Sequence, residues 1–476
     1  MHHPSLIAVS WQEVTGWLVL VDFVLIGLTL LSILSLKKNS TSAFAWGMTV
    51  VFIPVMGLVL YWLFGYQSVY RPLIKKRRHA ASYRQRATSV QSEEHDNAAS
   101  NLAVRLGASR RTAGNTVDLY HDGRSTFDAM LAAIREAKKH IHLEFFIFRP
   151  DGLGQRFLDA LSERARNGVQ VRLLYDAVGS WTMRRKQLQG LIGSGGQAVP
   201  FLSINPLRRS IQINLRNHRK LLVVDGRVAF TGGFNIGDEY LGLHKFFGPW
   251  RDTFLRLRGP TVRHMQRMFI EDWSFAAHEE LNEDDYVGRE EPTGSVFAQI
   301  ACSGPDQEQK PIREIYFAAI VGARKRIWIT SPYFVPDPGM LDALCLAARA
   351  GRDVRLLMPF RPDKWVPFLA ARFYWPDVLA AGVKIYQYTQ GFIHSKLMII
   401  DDNWSSVGSA NLDFRSMYLN FEMTCLMESK EVVDELETAY LLDLELSIHV
   451  NVEEFEKRGF ISRLAENACR LASPIL

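Results

Sequence analysis

A His-x-Lys-x4-Asp segment stands twice in this chain, as His218, Lys220 and Asp225 and again as His394, Lys396 and Asp401. Each lysine precedes a four-residue apolar run, Leu221-Leu222-Val223-Val224 or Leu397-Met398-Ile399-Ile400. Gly232-Gly233-Phe234-Asn235 and Gly408-Ser409-Ala410-Asn411 follow the two aspartates at the same distance. A single His-x-Lys carries no information, but two copies agreeing at several spaced positions require a shared cause. Other words repeat in the same order: Leu158-Asp159-Ala160-Leu161 against Leu341-Asp342-Ala343-Leu344, and Val171-Arg172-Leu173-Leu174 against Val354-Arg355-Leu356-Leu357. Around them the chain alternates helical and strand patterns. Helices are expected near Phe127–Ile134, 154–167, 312–323 and 339–350, and strands at 141–148, 169–175, 327–330 and 354–358. Apolar strands alternating with helices predict an α/β class in which helices cover mainly parallel or mixed sheets. The duplication predicts two α/β/α halves in a pseudo-twofold arrangement, each lending one motif to a shared interface.

Alternation along a strand turns residues i and i+2 to one face, so His218 joins Lys220 and His394 joins Lys396 in one site. A neutral imidazole attacks phosphorus, and a protonated one hands a proton to a leaving alkoxide. Two lysines neutralise the phosphate and the charge developing on its oxygens. Asn235 and Asn411 are the expected hydrogen-bond donors to those oxygens. Asp225 and Asp401 complete the candidate catalytic set, with a turn role and an orienting role both open. No metal and no cofactor is called for.

Residues 17–36 and 43–64 are apolar runs of about the length that a bilayer-spanning helix needs. Trp46, Tyr61 and Trp62 bracket the second run as an interfacial belt would. Asp22 lies near the start of the first and is read as interfacial. No basic stretch precedes the first run and no small-residue cleavage site follows it, against a secretory signal. Seven bases (Arg71, Lys75, Lys76, Arg77, Arg78, Arg84 and Arg86) follow without an acid and exceed the net charge of +6 of the whole chain. Basicity this local argues for a membrane border over a nucleic-acid-coating surface, and no nucleic acid is expected as partner. It also places the C-terminal side in the cytoplasm, giving a multi-pass protein of the cell (inner) membrane. Four scattered cysteines without metal-ligand spacing fit a reducing compartment.

The expected layout is a membrane hairpin at 1–66, a basic segment and linker at 67–115, a first half at 116–290, a second at 291–449, and a C-terminal amphipathic helix at 450–476. Arg208, Arg209, Arg216 and Arg219 crowd the first motif and are candidates for headgroup phosphates, Arg216 foremost. The aromatic stretch Lys364–Trp375 is open between an acyl-chain entrance and ordinary burial. The last helix is expected to pack its apolar face on the core, with membrane docking as the alternative. Oligomeric state is not legible.

The duplicated motifs resemble the phospholipase D superfamily, and the resemblance is closer still to its bacterial cardiolipin synthases. It is carried by WLFG at 62–65, RNHRK at 216–220, TGGFNIGDEY at 231–240, WRDTFLRLRGP at 250–260, SPYFVPD at 331–337, GFIHSK at 391–396, GSANLDFRS at 408–416 and NFE at 420–422. The resemblance implies phosphatidyl transfer between two phosphatidylglycerol molecules through a phosphohistidine, giving cardiolipin and glycerol. It makes His218 the nucleophile and His394 the acid and base. It also implies an orienting carboxylate beyond each motif: Glu422 in the second half, with Asp252 the candidate in the first, where the spacing departs. The rivals are a hydrolase of the same superfamily, on a phospholipid or less favourably a nucleic acid, and a non-catalytic lipid-phosphate scaffold. Both motifs are complete, which opposes the scaffold.

Overall fold

The computed structural model describes residues 11–36, 40–62, 98–202, 215–244, 246–288 and 291–473. The basic run at 71–86, Gly65 of WLFG, Arg208, Arg209 and the last three residues lie outside them. Two compact units are present, and the first comprises the N-terminal helices.

In that unit α1 (Trp11–Leu36) is one helix, and the second apolar run forms α2 (Ser40–Phe52) and α3 (Pro54–Leu60). The break falls at Ile53, whose φ of −131° and ψ of 68° lie off the helical region. Pro54 imposes it, because a proline ring disfavours helical geometry in the residue before it. Ile33, Val50 and Tyr61 are buried where the helices meet, and the hydroxyls of Ser32 and Tyr61 lie 3.1 Å apart. Gly57 permits the close approach, since a Cβ there would lie 2.5 Å from the Thr49 carbonyl oxygen. Among the described residues no helix is long and apolar enough to cross a membrane.

The second unit begins within the expected linker: α4 spans Ala98–Arg105 and β1 spans Thr112–Asp122. Then follow α5 (Gly123–Glu136), β2 (His140–Phe145), α6 (Gly152–Arg166), β3 (Gln170–Asp176), α7 (Arg185–Gly193), β4 (Gln197–Phe201), β5 (Lys220–Val224), β6 (Val228–Gly232), β7 (Trp250–Arg258) and α8 (Thr261–Ala277). The second pass has β8 (Val296–Ser303), α9 (Pro311–Gly322), β9 (Arg326–Thr330), β10 (Phe334–Val335), α10 (Pro338–Arg349), β11 (Asp353–Pro359), α11 (Trp365–Ala380) and β12 (Lys384–Tyr388). It closes with β13 (Phe392–Ile393), β14 (Leu397–Ile400), β15 (Trp404–Gly408), β16 (Leu412–Asp413), α12 (Phe414–Tyr418), β17 (Glu422–Glu428), α13 (Lys430–Glu445), β18 (Ser447–His449), α14 (Val452–Glu456) and α15 (Phe460–Arg470). Asp122, Asp151 and Asp337 cap α5, α6 and α10 by accepting from backbone N–H groups of the first turn.

One continuous sheet runs through both halves. From its middle outward the first half reads β1-β7-β6-β5-β2-β3-β4 and the second β8-β17-β15-β14-β9-β11-β12, with β18 at the edge. The halves meet where β1 and β8 pair antiparallel, Thr112 opposite Ala298 and Asn115 opposite Val296. Strand order is thus the same on each side of the seam, as two halves about a pseudo-twofold axis require. Alternation then sets the layers. Ile141, Leu143 and Phe145 of β2 join Phe127, Phe157 and Leu222 in a core under α5 and α6. His142 of the same strand faces the other way and stacks on Phe269 of α8, ring centroids 4.3 Å apart. In the second half Ile327 and Ile329 face α9 and α10, while Trp328 between them stacks on Tyr440 of α13.

The last helix corrects an expectation. Phe460, Ile461, Leu464 and Leu471 of the α15 segment are exposed, Ile461 by 81%, whereas Glu466 is 1% exposed. The polar face docks because the Glu466 carboxylate accepts from Arg372 of α11 and from Arg458, each at 2.8 Å. The stretch Lys364–Trp375 is divided: Trp365 is exposed at the start of α11, and Trp375 is fully buried.

Candidate active site

Each motif enters the site by leaving its own half. In β13, Phe392 pairs with Trp250 and Ile393 with Arg251, residues that open β7 of the first half. Asn217 forms the matching parallel bridge to Phe421, just before β17 of the second. The backbone N–H of His394 then donates to the Arg251 carbonyl (2.7 Å), and that of His218 to the Phe421 carbonyl (2.9 Å). The next residue on each partner strand carries the carboxylate. His218 Nδ1 lies 3.0 Å from the Glu422 carboxylate, and His394 Nδ1 lies 2.8 Å from Asp252 Oδ2. Glu422 and Asp252 are therefore brought to the histidines, but crosswise: each serves the motif of the other half. Asp252 stands 34 residues after His218, where Glu422 stands 28 after His394. The six extra residues fall between Asn235 and Asp252, since Asn235 and Asn411 stand equally far from their histidines.

Lys220 and Lys396 lie on the same faces as their histidines and donate back to their carbonyl oxygens, Lys220 at 2.7 Å. Burial pushes Lys220 down to about 7 and Lys396 to about 8, against the pull of Glu422 and Asp252. Burial also lowers His218 to about 4, partly offset by Glu422. His394 is held well below its ordinary value by burial and then by Lys396 and Lys220. Aromatic rings wall both imidazoles: Phe146 lies 4.9 Å from His218, and Trp250 5.4 Å from His394.

The two carboxylates differ. Burial raises both, but at Glu422 His218, Lys220 and the Ser409 hydroxyl outweigh it and hold the group below its ordinary value. Glu422 also accepts from Asn420 Nδ2 at 3.1 Å. Asp252 is pushed up to about 7 by burial, Lys396 and the Thr253 N–H offsetting it only in part. Gly233 occupies the place that Ser409 has in the other half, and a Cβ there would lie 2.0 Å from Asp252 Oδ1. The glycine is thus required by the carboxylate packed on it, and no hydroxyl reaches that carboxylate from this position.

Asp225 and Asp401 do not face this site, which corrects their place in the candidate catalytic set. Asp225 accepts from the backbone N–H groups of Lys138, Lys139 and His140 at 2.7–2.9 Å. Asp401 does the same for Arg324, Lys325 and Arg326. Both sit at positive φ, +54° and +51°, a region that short polar side chains tolerate better than most. They pin the entrances of β2 and β9 at the strand ends remote from the histidines.

The amides also part ways. Asn235 is consumed internally: its Oδ1 accepts from the Ile147 N–H at 3.2 Å and its Nδ2 donates to Tyr240 Oη at 3.1 Å. That bonding runs against a phosphate-donor role. Asn411 is buried with its Oδ1 unpartnered. Arg216 is buried and pairs with Asp176 at 3.4 Å, while Asp176 also accepts from the Asn217 N–H at 2.9 Å. Arg219 is no headgroup ligand. It pairs with buried Asp272 and donates to the Glu422 carbonyl at 3.2 Å. Sequence reasoning missed Asp176, Asp272 and Ser409; only Ser409 had a signal, its place in the repeated Gly-small-x-Asn word.

Two halves about a pseudo-twofold axis, with paired His-x-Lys segments at their seam, define a phospholipase D-like centre. Comparison with known proteins agrees. The family described as "Cardiolipin synthase, PLD-like domain" matches residues 130–273 and 316–441, and that described as "Phospholipase_D-nuclease N-terminal" matches 24–65. A cardiolipin synthase of Geobacillus kaustophilus is 40% identical over 92% of this chain and 90% of its own. One of Halalkalibacterium halodurans is 38% identical over 98% and 95%. The solved phosphatidylserine synthase of Haemophilus influenzae shares the fold, with a TM-score of 0.61 over 80% of this chain and 100% of its own at 14% identity. The chain belongs to the cardiolipin synthase family of phospholipase D-like enzymes.

Proposed function

We propose that this chain is a membrane-anchored cardiolipin synthase joining two phosphatidylglycerol molecules, with the crossed histidine–carboxylate pairs as its machinery. The observation that carries the division of labour is the difference between those pairs. Glu422 is a charged acceptor for the His218 Nδ1–H, which leaves the lone pair on Nε2. His218 is therefore the nucleophile. Asp252 has Gly233 where Glu422 has the Ser409 hydroxyl, and burial raises it to about 7, so near neutral pH the Asp252–His394 pair shares a proton that His394 Nε2 can pass on. His394 is the acid.

His218 Nε2 bonds to the phosphorus of one lipid as the bond to its glycerol oxygen breaks, and that oxygen takes the His394 proton. The hydroxyl of a second phosphatidylglycerol then attacks, returning its proton to His394 and freeing His218. Lys220 and Lys396 hold the phosphate oxygens, whose negative charge in turn restores proton affinity to His394. Asn411 adds a polar contact there, and Arg216 acts through Asp176 on the backbone before His218. Leu20, Phe23, Leu28, Leu31, Phe52 and Val55 of the N-terminal helices are all exposed, which supports apolar association of this segment with a membrane, and the seven bases between Arg71 and Arg86 support a cytoplasmic catalytic unit. The test is to quench the reaction early with phosphate-labelled phosphatidylglycerol. Label on the His218 peptide is expected, and label on the His394 peptide alone would reverse the roles.

A further inference from the structure

Two loops at pseudo-equivalent places border the catalytic pairs, and both end in an exposed tryptophan beside cations. The first follows β3. Asp176 accepts from the N–H groups of Val178 and Gly179 at 2.9 and 2.8 Å, so this loop is held rigid. Gly179 packs so close to Phe146 that a Cβ would lie 2.3 Å from its carbonyl oxygen, and Phe146 is the ring against His218. At its tip Trp181 is 74% exposed, and exposed Arg184 and Arg185 follow. The second loop follows β11, the duplicate of β3. Tyr333 Oη donates to Asp363 at 2.5 Å, and Lys364 Nζ lies 5.9 Å from the Tyr333 ring. Ser331 Oγ donates to the Tyr333 carbonyl at 2.7 Å and accepts from the Leu412 N–H at 3.0 Å, which sets this loop beside Asn411 of the site. Phe360 and Trp365 here are 44% and 66% exposed. Among the described residues no ion pair neutralises Arg184, Arg185 or Lys364.

Indole rings with an apolar body and a polar edge, beside unpaired cations, fit the headgroup layer of a bilayer and its anionic lipids. We propose that these two loops form a bipartite lip that docks the catalytic seam onto an anionic phospholipid surface. Lipid headgroups are then delivered between the lips, one beside each histidine. The proposal rests on the lipid-transfer reading above and adds the surface through which substrate arrives. Neither tryptophan belongs to the reacting centre, so removing both lowers encounter with a surface and leaves the chemistry intact.

The experiment compares the full chain with its W181S/W365S and R184A/R185A variants on two substrates. One is phosphatidylglycerol in phosphatidylcholine vesicles holding the reconstituted protein. The other is a short-chain phosphatidylglycerol supplied as monomers to protein in nonionic detergent. On vesicles the arginine variant should lose about fivefold per cation removed, and the tryptophan variant a comparable or larger factor. On monomers both should stay within about twofold of the parent, the encounter being no longer with a surface. Equal losses on both substrates, or no loss on vesicles, would overturn the proposal. Failure of the unmodified chain to form cardiolipin on either substrate would instead overturn the functional reading.

Discussion

His218 Nδ1 lies 3.0 Å from the carboxylate of Glu422, although 203 residues and the seam between two halves separate them in the chain. The same crossing joins His394 to Asp252 at 2.8 Å. Neither half therefore holds a complete catalytic pair.

The unequal carboxylates separate the two histidines by experiment. A phosphatidyl ester with a p-nitrophenol leaving group needs no general acid. Its first turnover, read as a burst of p-nitrophenolate, should survive in Asp252→Asn and His394→Ala. With the natural lipid each variant should lose about 10²–10⁴-fold, the usual worth of a positioned acid. His218→Ala should show no burst on either substrate, and Glu422→Gln should show a strongly slowed one. A burst surviving in His218→Ala would remove its nucleophilic role.

The lysines set the alkaline limit. Burial lowers Lys220 to about 7 and Lys396 to about 8, so the ammonium form needed for phosphate is lost as pH rises through those values. The kcat/KM profile, which reports the free enzyme, should fall between them. Stability should move the other way. These depressed lysines bind fewer protons folded than unfolded, so their contribution to unfolding free energy rises with pH from about 7 toward the ordinary lysine value near 10.5. A pH–rate profile and a melting series in the same buffers check both signs.

Asp225 is a fastener. Replacing it with Ala removes three hydrogen bonds to backbone N–H groups at the start of β2, one of them partly buried, and a loss of about 1–3 kcal/mol is expected. Activity per folded molecule should change little. Thermal melting with an active-site titration separates the two effects. A large fall in kcat without a shift in melting would return the residue to the chemistry.

Arg219 ties the seam. Arg219→Ala removes the cation paired with buried Asp272, and breaking such a pair costs about 3–5 kcal/mol. It also removes the hydrogen bond to the Glu422 backbone carbonyl. Denaturant midpoints should fall sharply, and Arg219→Ala/Asp272→Asn should recover part of the loss.

The His-x-Lys spacing is enough to place His218 with Lys220 and His394 with Lys396, although β5 begins only at Lys220 and β14 at Leu397, so both histidines stand on the approach to each strand and not within it. The buried faces of α5, α6, α9 and α10 follow from their apolar periods, a local rule. The crossing is invisible to such rules. Counting residues onward from His394 reaches Glu422, but nothing local states that β17 lies against the other motif. β1 is hidden because its run, TAGNTVDLYHD, is largely polar and sits behind a stretch of linker-like composition. The outward apolar face of α15 escaped because period reports that a helix has two faces and not which one docks. Two arginines on Glu466 decide that.

The most direct test follows the products of purified protein acting on phosphatidylglycerol labelled in its headgroup glycerol. Cardiolipin and free labelled glycerol should appear in equal amounts, and excess chelator should leave the rate unchanged. Phosphatidic acid as the sole lipid product would contradict the account.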